Sequence, residues 1–219
     1  MDLDDRALTE TGLPAPAGAA PDGILVIACG ALAREILALT RANNWRHVTL
    51  QCLPAKYHLY PERIPVEVER TVLNSRGSFR EIFVAYADCG TGGLLQAKCA
   101  ELGVKMIAGP HCYSFFDGNE RFTARGDEEM RAFYLTDFLV RQFDAFVWKP
   151  MGLDRHPELR DTYFGNYTTL VYLAQTENPA LDALAEAAAT RLGLAYRRRF
   201  TGFGDLAAEL SALAAAPQT

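Results

Sequence analysis

Short apolar runs alternate with segments of helical period along most of this chain, and that alternation restricts the fold class. Ile24-Leu-Val-Ile-Ala-Cys29 is continuously apolar, as a strand buried on both faces must be, and it runs straight into Gly30. Leu32, Ile36, Leu37 and Leu39 then recur on one face of a helix over 31–43, and 48–53 reads as a second strand. A helix near 65–75 follows, with Val66, Val68 and Val72 supplying its buried side, then a strand over 82–88. A helix over 93–102 ends at Gly103, which suits a left-handed cap, and a strand over 104–109 comes next. Leu170-Val-Tyr-Leu-Ala174, a helix from Pro179 to Leu192, a strand over 194–200 and a terminal helix from Asp205 resume the alternation. Strands joined by helical crossovers and short turns predict an α/β fold: a doubly wound, mostly parallel Rossmann/flavodoxin-like sheet with helices on both faces.

Residues 1–22 are rich in Ala, Pro and Gly and predict a disordered tail, leaving 23–219 as a single α/β domain. A helical insertion at about 127–165 interrupts the alternation. Asp127 is its expected cap, Met130, Phe133, Tyr134, Phe138, Val140 and Phe143 form an apolar surface to Val147, and Pro157 starts a further helix to Phe164. The last third of the chain can add two strands to the same sheet. The net charge of -5 argues against nucleic-acid binding, and the short run Arg197-Arg-Arg199 reads as an edge strand or solvated face. No apolar stretch approaches the ~20 residues of a membrane helix, and Met1-Asp-Leu-Asp-Asp-Arg lacks the pattern of a signal peptide, so a cytoplasmic protein is expected. Five cysteines, an odd number in a chain this large, argue against a disulfide framework and leave the thiols free to bind metal or react.

Three of those thiols close apolar runs: Cys29, Cys89 in Ile82-Phe-Val-Ala-Tyr-Ala-Asp-Cys89, and Cys112 in Met106-Ile-Ala-Gly-Pro-His-Cys112. In open α/β sheets ligands bind at the carboxyl ends of strands. With strand order 2-1-3-4 the three runs are neighbours, about 4.8 Å apart, and their side chains can converge; with order 3-2-1-4 Cys89 and Cys112 stand more than ~14 Å apart and the site fails. Three soft thiolates at such a spread suit an iron-sulfur cluster, and less well a single zinc with its ~2.3 Å bonds. A fourth position falls to His58 or His156, since His111 next to Cys112 points to the opposite face of an extended strand, or it stays open to substrate. The competing reading is that small cysteines merely pack tight strand-to-helix turns. Core packing is the expected role of Cys52 and Cys99.

Asp88-Cys89-Gly90-Thr91-Gly92-Gly93 is a glycine-rich turn whose N–H groups can cradle a small anionic ligand, although it has neither a P-loop lysine nor a dinucleotide fingerprint. Asp154, Arg155 and His156 offer an acid, a forked cation and a base, as a catalytic clamp or as helix capping with a surface ion pair; His58 is a further catalytic candidate. Tyr113, Phe115 and Phe116 either wall a pocket or fill the core.

The segments Cys29-Gly-Ala-Leu, Tyr86-Ala-Asp-Cys89-Gly-Thr-Gly-Gly93, Cys112-Tyr-Ser-Phe-Phe, Tyr134-Leu-Thr-Asp-Phe-Leu, Leu153-Asp-Arg-His-Pro-Glu-Leu159 and Tyr167-Thr-Thr-Leu-Val-Tyr-Leu-Ala-Gln175 together resemble the family catalogued as domain of unknown function 1638. The resemblance covers nearly everything after residue 23 and implies no settled activity. Two functions are therefore expected from the residues themselves. One is a metal-binding protein or metalloenzyme that holds its iron-sulfur cluster or zinc on Cys29, Cys89 and Cys112, in a cleft accepting a small acidic ligand. The other is a metal-free binding or regulatory module that holds an anion on Gly90, Thr91, Gly92 and Gly93. Thiol catalysis by Cys89 or Cys112 with a histidine base is a third.

Overall fold

Six consecutive buried side chains require a strand with partners on both edges and cover on both faces, and Ile24–Cys29 has them. The computed structural model describes residues 3–16, 23–126 and 130–216. The expected cap Asp127, and Met1, Asp2 and residues 17–22 of the expected tail, lie outside the described residues. The fold is mixed α/β, Rossmann/flavodoxin-like, with two parallel sheets and helices around them. By its internal contacts the chain forms two compact units, Met1–Cys112 with Leu206–Thr219, and Tyr113–Asp205.

The first unit begins with α1 (Asp5–Glu10), capped by the Asp4 side chain, which accepts from the Arg6 N–H at 2.9 Å. Its Leu8 is buried, and Leu13 exchanges backbone hydrogen bonds with Cys52. Residues 3–16, expected in a disordered tail, thus have defined structure; one apolar anchor in a six-residue helix is too short a signal for periodicity to reveal. β1 (Ile24–Cys29), α2 (Ala33–Ala42), β2 (Val48–Leu53), α3 (Arg63–Ser75), β3 (Glu81–Ala85), α4 (Leu94–Leu102) and β4 (Lys105–Met106) follow in alternation. On α3 the buried stripe is Ile64, Val68 and Val72, spaced by four, while Val66 is 60% exposed because it lies more than half a turn from that stripe. Gly103 ends α4 at φ 66°, a left-handed cap. β4 is shorter than the expected 104–109, yet the chain beyond it stays beside the extension of β3, with Asp88 N–H donating to the Gly109 carbonyl at 3.1 Å. The sheet order is β2-β1-β3-β4, all parallel, with Ile24 opposite Val48 and Glu81, and Phe83 opposite Lys105.

α5 (Cys112–Asp117) carries the chain into the second unit, which continues through α6 (Asn119–Ala124), β5 (Ala132–Thr136), α7 (Asp137–Arg141), α8 (Arg160–Phe164), β6 (Thr169–Ala174), α9 (Pro179–Leu192) and β7 (Ala195–Phe200). The expected helix from Asp127 to Val147 is thus corrected: Ala132–Thr136 is a strand inside the expected helical insertion. Phe133, Tyr134 and Phe138 fit a helical period, but Phe-Tyr-Leu-Thr also favours a strand, and pairing with β6 decides the matter. The second sheet is parallel with order β5-β6-β7, so the strands at 169–174 and 195–200 belong here rather than to the first sheet. Tyr134, Val171 and Leu173 pack with Tyr113 and Phe122, Tyr113 stacking on Tyr134 at 5.2 Å. The basic run lies on the edge strand β7, where Arg198 pairs with Asp182 at 2.7 Å and Glu177 at 2.6 Å. α10 (Gly204–Ala215) returns to the first unit, burying Leu206, Leu210 and Leu213. Among the described residues no helix is long and apolar enough to cross a membrane.

Candidate metal centre

The strand order that the three-thiol site requires is the order present, so β1, β3 and the segment after β4 run side by side. Cys29 is the last residue of β1, buried at the turn into a 3-10 helix over Gly30–Leu32. At Gly30 an added Cβ would lie 2.4 Å from the Leu8 carbonyl oxygen and 3.3 Å from Ala55 N, so only glycine lets α1 close over this strand end.

Beyond β3 the chain continues through Tyr86, Ala87 and Asp88 to Cys89. Cys89 sits at φ 47°, one of two described non-glycine residues in the left-handed region. Such a backbone costs a non-glycine residue of order 1 kcal/mol or more and persists where the surroundings impose it. Those surroundings include the hydrogen bonds from Asp88 N–H to Gly109 O at 3.1 Å and from Cys89 N–H to Pro110 O at 3.2 Å, which tie this segment to the one bearing Cys112. The Sγ atoms of Cys89 and Cys112 are 3.0 Å apart. Cys112 opens α5 instead of closing a strand, because the extended segment ends early at β4.

Either sulfur can donate in this contact. The hydrogen bond with Cys112, and a further one from His58, hold Cys89 well below the ordinary thiol range, while the same contact and burial push Cys112 well above it. Burial pushes Cys29 up to about 12. Burial also raises Cys52, which packs within β2, and lifts Cys99 on α4 to about 11, both as expected of core thiols. Tyr86, 1% exposed, stands among Cys29, Cys52, Cys89 and Cys112, and burial, with those neighbours, raises its phenol well above the usual value. Among the described residues its hydroxyl has no well-formed hydrogen bond, and the weakly accepting Cys29 sulfur beside it is its one interaction partner.

His58, on the 3-10 turn Ala55–Leu59, lies within hydrogen-bonding reach of Cys89. His111 differs from expectation: past β4 the backbone is no longer a regular strand, and the half-buried ring feels Cys89, His58 and Asp88, although burial, the larger influence, lowers its pKa. Asp154, Arg155 and His156 belong to the second unit and are exposed; His156 Nδ1 lies 3.2 Å from Glu158, and Arg155 Nε 3.9 Å from Asp154. Phe115 and Phe116 are buried in the core.

The glycine turn is already occupied by its own carboxylate. Asp88 accepts from Gly93 N–H at 2.6 Å, Thr91 Oγ at 2.9 Å and Gly92 N–H at 3.2 Å, and these bonds, that from Gly93 foremost, lower its pKa. Among the described residues, no three His, Cys, Asp or Glu side chains stand around a common point ready to hold an ion.

The model of a family described as protein of unknown function, DUF1638, matches residues 52–210. The chain belongs to this family. No curated protein and no solved structure matches it. The stretch shared with the DUF1638 family holds His58, Tyr86, the Asp88–Gly93 turn, Cys89 and Cys112, whereas Cys29 lies before it. Sequence reasoning missed Tyr86 and His111. A tyrosine among the small residues Ala85, Ala87 and Cys89 was the available signal for the first, and the glycine and proline that end β4 early for the second.

Proposed function

We propose that this DUF1638 protein is a metal-binding protein or metalloenzyme whose Cys29, Cys89 and Cys112 hold an iron-sulfur cluster, or less favourably zinc, at the strand ends of the first sheet. The observation that carries this reading is the order β2-β1-β3-β4, which makes neighbours of the three thiol-bearing segments. The donor set suits the group, because soft thiolates select iron-sulfur clusters and zinc. The Tyr86 hydroxyl also fits it: a buried hydroxyl left with only the weakly accepting Cys29 sulfur is under-satisfied, and a group bound among the thiols would offer a stronger acceptor. Two sulfurs on one zinc stand roughly 3.8 Å apart, so loading separates the Cys89 and Cys112 sulfurs from their 3.0 Å contact. Loading also releases the protons of Cys29 and Cys112, which makes binding tighter as pH rises. His58 beside Cys89 would face a small acidic ligand entering the cleft.

The metal-free alternative, an anion on Gly90–Gly93, is less favoured because Asp88 takes the place such a ligand would need. Protein prepared without oxygen is expected to carry iron and inorganic sulfide near stoichiometry, with broad visible absorption that zinc does not give. A triple Cys→Ser variant at 29, 89 and 112 is expected to lose both. Metal-free wild-type protein that takes up neither iron and sulfide nor zinc on reconstitution would overturn the reading.

A further inference from the structure

The Cys89 and Cys112 sulfurs, 3.0 Å apart, are closer than the roughly 3.5–4 Å of ordinary non-bonded contact and farther than the ~2.05 Å of a disulfide. About 1 Å of approach joins them. The backbone hydrogen bonds Asp88 to Gly109 and Cys89 to Pro110 keep the two segments in register while it happens. Cys112 is only half-buried and gives small oxidants access to the pair, whose other member, Cys89, is buried like Cys29, Cys52 and Cys99.

We propose that Cys89 and Cys112 are a peroxide-oxidisable dithiol that closes reversibly to a disulfide. Hydrogen peroxide transfers one oxygen to the Cys89 sulfur, its O–O bond breaking to give the sulfenic acid, and the other oxygen leaves as water. The Cys112 sulfur then attacks the Cys89 sulfur, the S–OH bond breaks, and the Cys112 proton leaves with that oxygen as water. Two thiols lose two electrons in total and one peroxide gains them. A small-molecule dithiol reverses the step by exchange. The pair's geometry carries this proposal whether or not the centre takes metal. One consequence rests on the reading above: closure removes two of the three metal ligands, so oxidation and metal loading exclude each other.

The test uses full-length, chelator-treated wild-type protein, exposed to stoichiometric hydrogen peroxide, alkylated, digested without reduction and analysed by mass spectrometry. The expected product is one cross-linked peptide pair joining Cys89 to Cys112, lighter by two hydrogens, with Cys29, Cys52 and Cys99 alkylated only after denaturation. Dithiothreitol is expected to return both thiols. In Cys112→Ser, Cys89 is expected to persist as a sulfenic acid trapped by dimedone; if that variant does not fold, the wild-type cross-link decides alone. Cys89 pairing with Cys29, pairing between chains, oxidation of Cys89 to the sulfinic acid with Cys112 still free, or no oxidation at all would each overturn the proposal. Metal content is read separately on unoxidised protein, so failure of this proposal and failure of the metal reading are distinct results.

Discussion

The two parallel sheets treat their strand ends in opposite ways. At the ends of β5 and β6, Asp137 is 1% exposed and fully employed: its carboxylate accepts from Tyr172 OH at 2.7 Å, Thr176 Oγ at 2.6 Å and Gln175 N–H at 3.0 Å, while its own N–H donates to Gln175 Oε1 at 2.7 Å. At the ends of β1 and β3 the polar groups are left unfinished, with a buried Tyr86 hydroxyl that has only the weakly accepting Cys29 sulfur, a cysteine at φ 47° and two sulfurs in close contact. Closed networks rigidify a fold, whereas incomplete ones cost stability and persist where something else completes them. The second sheet's strand-end cluster is therefore structural, and the first sheet's is the functional candidate.

Removing Asp137 should have the largest effect. Asp137→Ala strands three donors in a buried site, with an expected loss of about 4 kcal/mol and a fall in thermal midpoint on the order of 10 °C. Metal content per folded chain should not change. A midpoint within ~2 °C of wild type, followed by thermal denaturation, would break the contrast from the structural side.

Tyr86→Phe gives a smaller effect of opposite sign. Deleting a hydroxyl that has only the weakly accepting Cys29 sulfur, while keeping the ring, should stabilise metal-free protein by up to about 1 kcal/mol, a rise of up to roughly 3 °C. Loaded protein should show no gain, because the hydroxyl then has a stronger acceptor. Destabilisation of the metal-free form by the same substitution would mean that the hydroxyl is already satisfied.

Much of the frame was legible in the residues, for identifiable reasons. Ile24–Cys29 is apolar throughout, Val48–Leu53 and Thr169–Ala174 are largely so, and Asn178 with Pro179 and Gly193 marks both ends of α9, its cap accepting from Ala180 N–H at 3.0 Å. β5 was hidden because Phe133, Tyr134 and Phe138 satisfy two periods at once, and α1 because Leu8 alone anchors it. The site was legible as a set of three thiols but not as an arrangement, since strand order is a non-local property that spacing does not encode. The occupation of the glycine turn by Asp88 was foreseeable in principle, because an aspartate opening such a turn tends to bond the backbone N–H groups just ahead of it. The left-handed backbone at Cys89 carries no sequence signal at all.

Three sulfurs from neighbouring strand ends are proposed to share one metal centre. X-ray absorption at the K-edge of the metal bound to anaerobically prepared or reconstituted protein measures the nearest atoms directly. A first shell dominated by sulfur at about 2.3 Å, with intensity falling in each of Cys29→Ser, Cys89→Ser and Cys112→Ser, is the predicted result. A shell of nitrogen and oxygen alone, unchanged by those three substitutions, would contradict it.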